Sequence, residues 1–367
     1  MYKIITLVAV ATIILVSCKP QTKSTGSMAK FDEAPEWAAS AIWYQIFVER
    51  FRNGNPNNDP TMETNRGALI DEIPASWQIT PWGHNWYVQE SWAKETGLDF
   101  YRTIQMRRYG GDLEGVMQKV NYLQDLGINA VYFNPLNDAP SLHKYDARNY
   151  HHIDVTFGDD RDGDLALMKK EDPSKPESWV WTSADKKFVE LISQFHKAGI
   201  KVVLDFSWNH TGTQLWAFQD IMKNGASSRF AGWYEIKTFD NAATPENEWN
   251  YDGWLGIKSL PELKKIRESE KKFGHAFEGN MPEEVKAHIF AVCKRWMDPN
   301  NDGNPDDGID GMRLDVAEHV PLGFWRDMRK YVRSVNESFY LVGENWWTQW
   351  PDELMDAEPW VKGDVFD

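Results

Sequence analysis

The sequence predicts an α/β protein built on a parallel sheet, a (β/α)8 barrel of which about the first five to six strands lie within 367 residues. Three observations lead there. From residue 36 onward, short apolar runs alternate with amphipathic helical segments, the pattern of βα units. No glycine-rich phosphate turn follows the first run, which weakens the competing doubly wound sheet. Polar residues able to do chemistry (Asn134, Asp205, Asp315 and Glu344) directly follow four different predicted strands, where barrel enzymes place their sites.

The elements follow in order. Residues 42–47 read as the first strand. Residues 113–126 carry Leu113, Val116, Val120 and Leu123 at helical spacing, and Gly127 can stop that helix. Residues 130–133 form the second strand. Thr182 and Asp185 look like a capping box for a helix with Phe188, Leu191, Ile192 and Phe195 on one face, closed by Gly199. Residues 201–204 make the third strand. Residues 283–297 predict a helix with Val285, Ile289, Val292 and Trp296 inward, Pro282 suiting its first turn. Residues 309–314 and 340–343 give the fourth and fifth strands, with a helix over 324–332 between them. Val365 and Phe366 begin a sixth.

Two connections are long. Residues 135–184 follow the second strand, and residues 211–282 follow the third. The latter are rich in Trp, Gly, Asn and Pro and are best read as an inserted subdomain over the barrel mouth.

Composition narrows the function. The net charge is −15 with no Lys/Arg run, which argues against nucleic acid and is compatible with a neutral substrate such as sugar. There are 19 tryptophans, whose faces suit the apolar faces of sugar rings; Trp249, Trp254, Trp346 and Trp347 in polar loops favour that use over a core role.

The N-terminus reads as a processing signal. Lys3 precedes residues 4–16, apolar except for Thr6 and Thr12 and too short for a comfortable membrane span. The run ends in Leu15-Val16-Ser17-Cys18, which resembles the bacterial lipobox. That resemblance implies a signal over residues 1–18 and lipidation of Cys18; residues 19–33 are polar and read as a flexible tether, with the barrel over residues 34–367. The protein would be anchored to the membrane through that lipid, on the periplasmic or surface side of a bacterial envelope. Cys293 would be left as a lone, buried thiol.

Glycoside hydrolysis with retention needs two carboxyl groups about 5–5.5 Å apart, one ionised as nucleophile and one protonated as acid. Asp315 and Glu344 end adjacent predicted strands. Arg313 faces the same side as Asp315, two residues on, and would keep it ionised. Alone, Gly-x-Arg-x-Asp reads better as a structural ion pair. In combination it does not. Asp205-Phe206-Ser207-Trp208-Asn209-His210, Gly311-Met312-Arg313-Leu314-Asp315-Val316-Ala317-Glu318-His319 and Gly343-Glu344-Asn345-Trp346-Trp347 stand in the order and spacing of the signature regions of the α-amylase family, which this chain resembles. Ser259-Leu260-Pro261-Glu262-Leu263 and residues 127–135 resemble two further motifs of that family.

The resemblance implies roles. Asp315 would be the nucleophile and Glu344 the acid/base. Arg313, His210, His143 and Tyr145 would meet the glucosyl unit beside the cleaved bond, with Asp205 supporting Arg313. His319 and Trp347 would contact substrate, His319 on the leaving-group side. Residues 44–60 and 141–146 resemble neopullulanase and cyclomaltodextrinase sequences. Glu318-His319 replaces that group's usual Asn-Glu, which leaves substrate preference open. The implied activity is hydrolysis of α-1,4 bonds in starch-derived glucans, maltooligosaccharides or cyclodextrins; a transglycosylase and a non-catalytic glycan-binding lipoprotein are the alternatives. A calcium site of the neopullulanase-like group would fall on Asn53, Asn55, Asn58, Asp59, Gly110 and Asp112, oxygen-rich as calcium requires. The family's third catalytic carboxylate, in an Asn-His-Asp block, is not found after Glu344. A chain cut from a longer protein is therefore expected.

Overall fold

The computed structural model describes residues 33–68, 73–241, 243–272, 274–346, 358–361 and 363–367. Five parallel strands, β1 (Trp43–Ile46), β2 (Ala130–Phe133), β3 (Lys201–Phe206), β4 (Gly311–Leu314) and β5 (Tyr340–Gly343), form one sheet in chain order. The ladders run without a register shift, so equivalent strand ends open on the same edge. Gly311 starts β4 because a Cβ there would meet the Tyr340 carbonyl at 2.6 Å. β3 runs two residues beyond its expected end, since Asp205 and Phe206 stay laddered to Arg313 and Leu314. Asp205 thus lies within a strand rather than after it.

Helices that pack on this sheet or beside it include α1 (Leu113–Met117), α2 (Val120–Asp125), α3 (Ser183–Lys197), α4 (Trp216–Asn224), α5 (Glu283–Met297) and α6 (Leu322–Val335). The single helix expected over 113–126 is two, because Lys119 leaves helical geometry at φ −114°, ψ 3°. The capping box of α3 is present in both directions, and Gly199 closes that helix at φ +76°. Pro282 caps α5 from just outside its first turn. The inward faces are the expected ones: Phe188, Leu191, Ile192 and Phe195 of α3 are buried, as are Val285, Ile289, Val292 and Trp296 of α5. Phe188 stands edge-on to Phe133 at 6.0 Å and to Trp296 at 5.6 Å, joining sheet, α3 and α5 in one core. Cys293 is a buried free thiol in the same core.

Residues 211–282 hold α4 and two short antiparallel hairpins, Ile236–Thr238 with Asn250–Tyr251 and Ile266–Arg267 with Gly279–Asn280. Val365 and Phe366 are buried but belong to no strand; the Asp367 amide nevertheless donates to Leu341 of β5 at 2.9 Å. Among the described residues no helix is long and apolar enough to cross a membrane. Residues 1–18, with Cys18, and most of the expected tether lie outside the described residues.

Candidate active site

The parallel registers bring the expected residues to one edge. β3 and β4 pair Asp205 with Arg313, and β4 and β5 pair Leu314 with Gly343, so Asp315 and Glu344 leave the sheet side by side. Arg313 sits at the centre. Its Nη1 donates to Asp205 Oδ1 and Oδ2 at 3.0 Å and to Asp315 Oδ1 at 2.8 Å, and its Nη2 pairs with Glu344 Oε2 at 3.1 Å. Asp205 is fully buried and also accepts hydrogen bonds from the Tyr132 hydroxyl and, at 2.8 Å, from Tyr145.

Three carboxylates share one guanidinium, and the charges do not balance. Burial pushes the Asp315 carboxyl well above the usual carboxylate range; Asp205 and Glu344 push the same way, and Arg313 only partly offsets them. The expectation that Arg313 keeps Asp315 ionised is thereby corrected. The Arg313 charge still acts on Asp315, but burial and the neighbouring Asp205 and Glu344 carboxylates outweigh it.

Two backbone features complete the arrangement. Val316 is left-handed at φ 40°, ψ 49°, a conformation costing a β-branched residue about 1–3 kcal/mol. In return its amide donates to Glu344 Oε2 at 3.0 Å, and the Ala317 amide donates to the Glu344 carbonyl at 2.9 Å. Lys144 is likewise left-handed, at φ 65°. Its buried ammonium donates to Asp154 at 2.7 Å and to the Ala139 carbonyl at 3.0 Å, fixing the turn that presents His143 and Tyr145. Their rings stack at 5.7 Å.

Above the cluster lies a cavity of about 370 Å³. His143, Tyr145, His210, Asp315 and Glu344 line it together with Trp254 and Trp346. His210 stacks on Trp254 at 5.5 Å, and burial, then Lys265, push its pKa down to about 3, so it meets a ligand as neutral imidazole. The Ser259–Leu263 motif is zipped to the end of β3: the Thr211 amide donates to the Pro261 carbonyl at 3.1 Å, and the Leu263 amide to the Asn209 carbonyl at 2.9 Å. That pairing sets Trp254, Ser259 and Leu260 on the cavity wall.

His319 adjoins this wall without lining the cavity; its ring is edge-on to Trp254 at 6.3 Å, and Nδ1 accepts from Lys271 Nζ at 2.7 Å. Trp347 lies outside the described residues. Trp249 packs on Phe218, Phe239 and Tyr251, so of Trp249 and Trp254, both expected to serve sugar, only Trp254 faces the cavity. Sequence reasoning missed Tyr132 and Lys271. Tyr132 carried a weak signal, a hydroxyl placed two residues along β2 from Ala130 among wholly apolar neighbours; Lys271 carried none.

The oxygen-rich turn is assembled in part. Asn53 donates to Asp59 Oδ1 at 2.6 Å, and Gly110, at φ +73°, is so close that a Cβ would collide with Asp59 Oδ1. Asn53 Oδ1 and Asn58 Oδ1 are buried without hydrogen-bond partners. Burial, with Asp112 nearby, raises the Asp59 pKa; burial also raises that of Asp112. Asp112 is used locally: its oxygens accept from the Gly54, Asn55 and Gly115 amides and cap α1. Asn55 Oδ1 likewise turns back on the Asn57 amide, at 3.2 Å.

Fold and site together define a parallel α/β protein with its acidic centre at the C-terminal strand ends, under an aromatic-walled cavity. The chain belongs to the alpha-amylase family: the model of that family's catalytic domain matches residues 45–172 and 183–367. It is 34% identical over 333 residues to neopullulanase 2 from Thermoactinomyces vulgaris, covering 91% of this chain and 42% of that protein. A cyclomaltodextrinase from Geobacillus thermopakistaniensis is 32% identical, with 91% and 42% covered. Thus the chain spans under half the length of these curated relatives. Among solved structures, the cyclic α-maltosyl-(1→6)-maltose hydrolase of Arthrobacter globiformis in complex with that sugar is similar, with a TM-score of 0.60 and 28% identity, covering 91% of this chain and 55% of that one. The type III pullulan hydrolase of Thermococcus kodakarensis gives a TM-score of 0.63 at 26% identity, covering 92% and 47%.

Proposed function

We propose that the chain carries the centre of a retaining glycosidase acting on α-glucosidic bonds in maltooligosaccharides, cyclodextrins or related α-glucans. The observation that carries this reading is the single Arg313 guanidinium holding Asp315 and Glu344 on the wall of one cavity. Glu344 donates its proton to the glycosidic oxygen as the bond from that oxygen to the anomeric carbon breaks, and Asp315 attacks the same carbon to give a glycosyl ester. Glu344 then takes a proton from water, which attacks the anomeric carbon and releases Asp315 as carboxylate. Tyr145, His143 and His210 seat the sugar. We read the five parallel strands as part of a (β/α)8-type barrel and residues 211–282 as an inserted subdomain forming one cavity wall.

The test is product analysis. Protein expressed from the complete gene is incubated with maltoheptaose, pullulan and β-cyclodextrin, and the anomer first released is read by NMR. Release of the α-anomer supports the reading; a folded protein that cleaves none of the three, or yields the β-anomer, overturns it.

A structural Ca2+ belongs to the same proposal. Asn53, Asn58 and Asp59 fit it, since two orphaned amide oxygens beside a carboxylate suit a cation; Gly110 borders the same turn, as do Asn55 and Asp112, whose side-chain oxygens are engaged by local amides. The ion would fix residues 53–59 against the turn before α1. Chelation with EGTA is expected to lower Tm by several degrees, Ca2+ to restore it, and Asn58→Ala to remove the response. A Tm indifferent to both reagents, with no calcium in the protein, counts against the site.

Lipidation of Cys18 and attachment to a bacterial envelope rest on the lipobox-like run alone. Cys18→Ala should move the protein from the membrane to the soluble fraction, and retention in the membrane would refute the anchor.

A further inference from the structure

A second polar centre lies among residues that the proposed chemistry does not use. His151 and His152 are consecutive on the short strand Asn149–Ile153, and both turn to Glu171. His151 Nε2 lies 2.8 Å and His152 Nε2 3.0 Å from the same oxygen, Glu171 Oε1. Both histidines are fully buried, and the Glu171 side chain is 2% exposed. Among the described residues this is the group of His, Cys, Asp and Glu side chains whose ligand atoms converge, all lying within 4.8 Å of one another.

We propose that His151 Nε2, His152 Nε2 and Glu171 Oε1 form a site for a zinc-class divalent cation. The donor set is two imidazoles and one carboxylate, which selects zinc and its first-row neighbours over the all-oxygen preference of calcium or magnesium. Behind His152 and Glu171 stand groups of the kind a metal site needs, while His151 Nδ1 is buried without a hydrogen-bond partner. His152 Nδ1 is 2.7 Å from Asp185 Oδ2, which fixes the ring's tautomer and orientation and leaves Nε2 to point at the ion. Asp185 is itself held by Arg295 at 3.0 Å. Glu171 Oε2 accepts from the Val180 amide at 2.9 Å, freeing Oε1 for the ion. Trp179 lies flat on His151, with centroids 4.2 Å apart and an interplanar angle of 8°.

Without metal the same contacts demand protons. His152 has a carboxylate oxygen at each ring nitrogen, Asp185 Oδ2 at Nδ1 and Glu171 Oε1 at Nε2. His151 must at the same time donate from Nε2 to the oxygen that His152 already occupies. A divalent cation replaces both shared protons with two bonds. It would tie residues 149–153 and 171–180, the two arms of the long connection after β2, to the first turn of α3. Because the centre is closed, its role is structural, and it stands or falls independently of the proposed glycosidase activity.

The test uses untagged protein expressed from the complete gene, freed of loosely bound metal by dialysis. Elemental analysis should find about one zinc per chain. Cobalt exchanged into the site should give visible ligand-field bands without thiolate charge transfer, and stripping with a strong chelator should lower Tm by several degrees, restored by Zn2+ and not by Ca2+. Glu171→Gln and His151→Gln should each reduce the bound zinc by about tenfold or more at equal protein concentration. A folded wild-type protein that takes up under about a tenth of an equivalent from micromolar Zn2+ overturns the proposal and leaves a proton-bridged cluster. So do folded variants that keep their zinc. Where a variant does not fold, the wild-type cobalt spectrum decides: thiolate bands would place the metal on cysteine and sink the site.

Discussion

Asp315→Asn is expected to reduce kcat on maltoheptaose by about 10⁴-fold or more, since losing a covalent nucleophile removes a pathway rather than weakening it. Asn can still accept from Arg313 Nη1, now 2.8 Å from Asp315 Oδ1, so the packing need not change. Stability should move the other way. The folded-state pKa of Asp315 is raised, so as pH climbs past about 4 the unfolded chain gives up this proton while the folded chain keeps it. That drains stability until the pH passes the folded pKa, after which the deficit is constant. Asn carries no such penalty. The variant should therefore melt higher than wild type at pH 8 and level with it near pH 4, read by calorimetry on the same preparation. A variant that melts lower at pH 8, or retains more than about one per cent of kcat, would remove Asp315 from the role of buried nucleophile.

The residues whose chemistry repeats at recognisable spacing are legible in the sequence. The amphipathic faces of α3 and α5, the five strands and the Asp315–Glu344 pair all follow from periodicity and motif order, because burial and strand-end geometry act on local sequence. What escapes is set by tertiary context. The left-handed Val316 runs against local preference and is held by a contact distant in sequence, its amide on Glu344. The raised pKa of Asp315 needs the whole cluster, since burial and the Asp205 and Glu344 carboxylates outweigh the Arg313 charge that the sequence places beside it. Trp249 and Trp254 are indistinguishable in sequence; one packs into residues 211–282 and the other faces the cavity because only the latter lies beside the Ser259–Leu263 zipper.

Glu344→Gln separates the two carboxyl groups by role. Gln can accept from Arg313 Nη2 and from the Val316 amide, so the site should keep its shape while losing its proton donor and one negative charge. On maltoheptaose, whose leaving group needs protonation, kcat should fall by about 10²–10⁴-fold. On an aryl α-maltoside with an acidic phenol, the first bond breaks without that proton, while hydrolysis of the glycosyl ester still lacks its base. A burst of phenol followed by a slow steady state is then expected, and azide, which needs no base, should speed the second step. The pH profile gives an independent reading. Glu344 is one of the charges that push the Asp315 pKa up, so removing it should shift the acid limb of kcat/KM to lower pH. Asp315→Asn should show neither burst nor azide rescue. If the two variants exchange these behaviours, Asp315 is the acid and Glu344 the nucleophile. If both lose activity equally on both substrates, the carboxyls do not act as a nucleophile and acid pair.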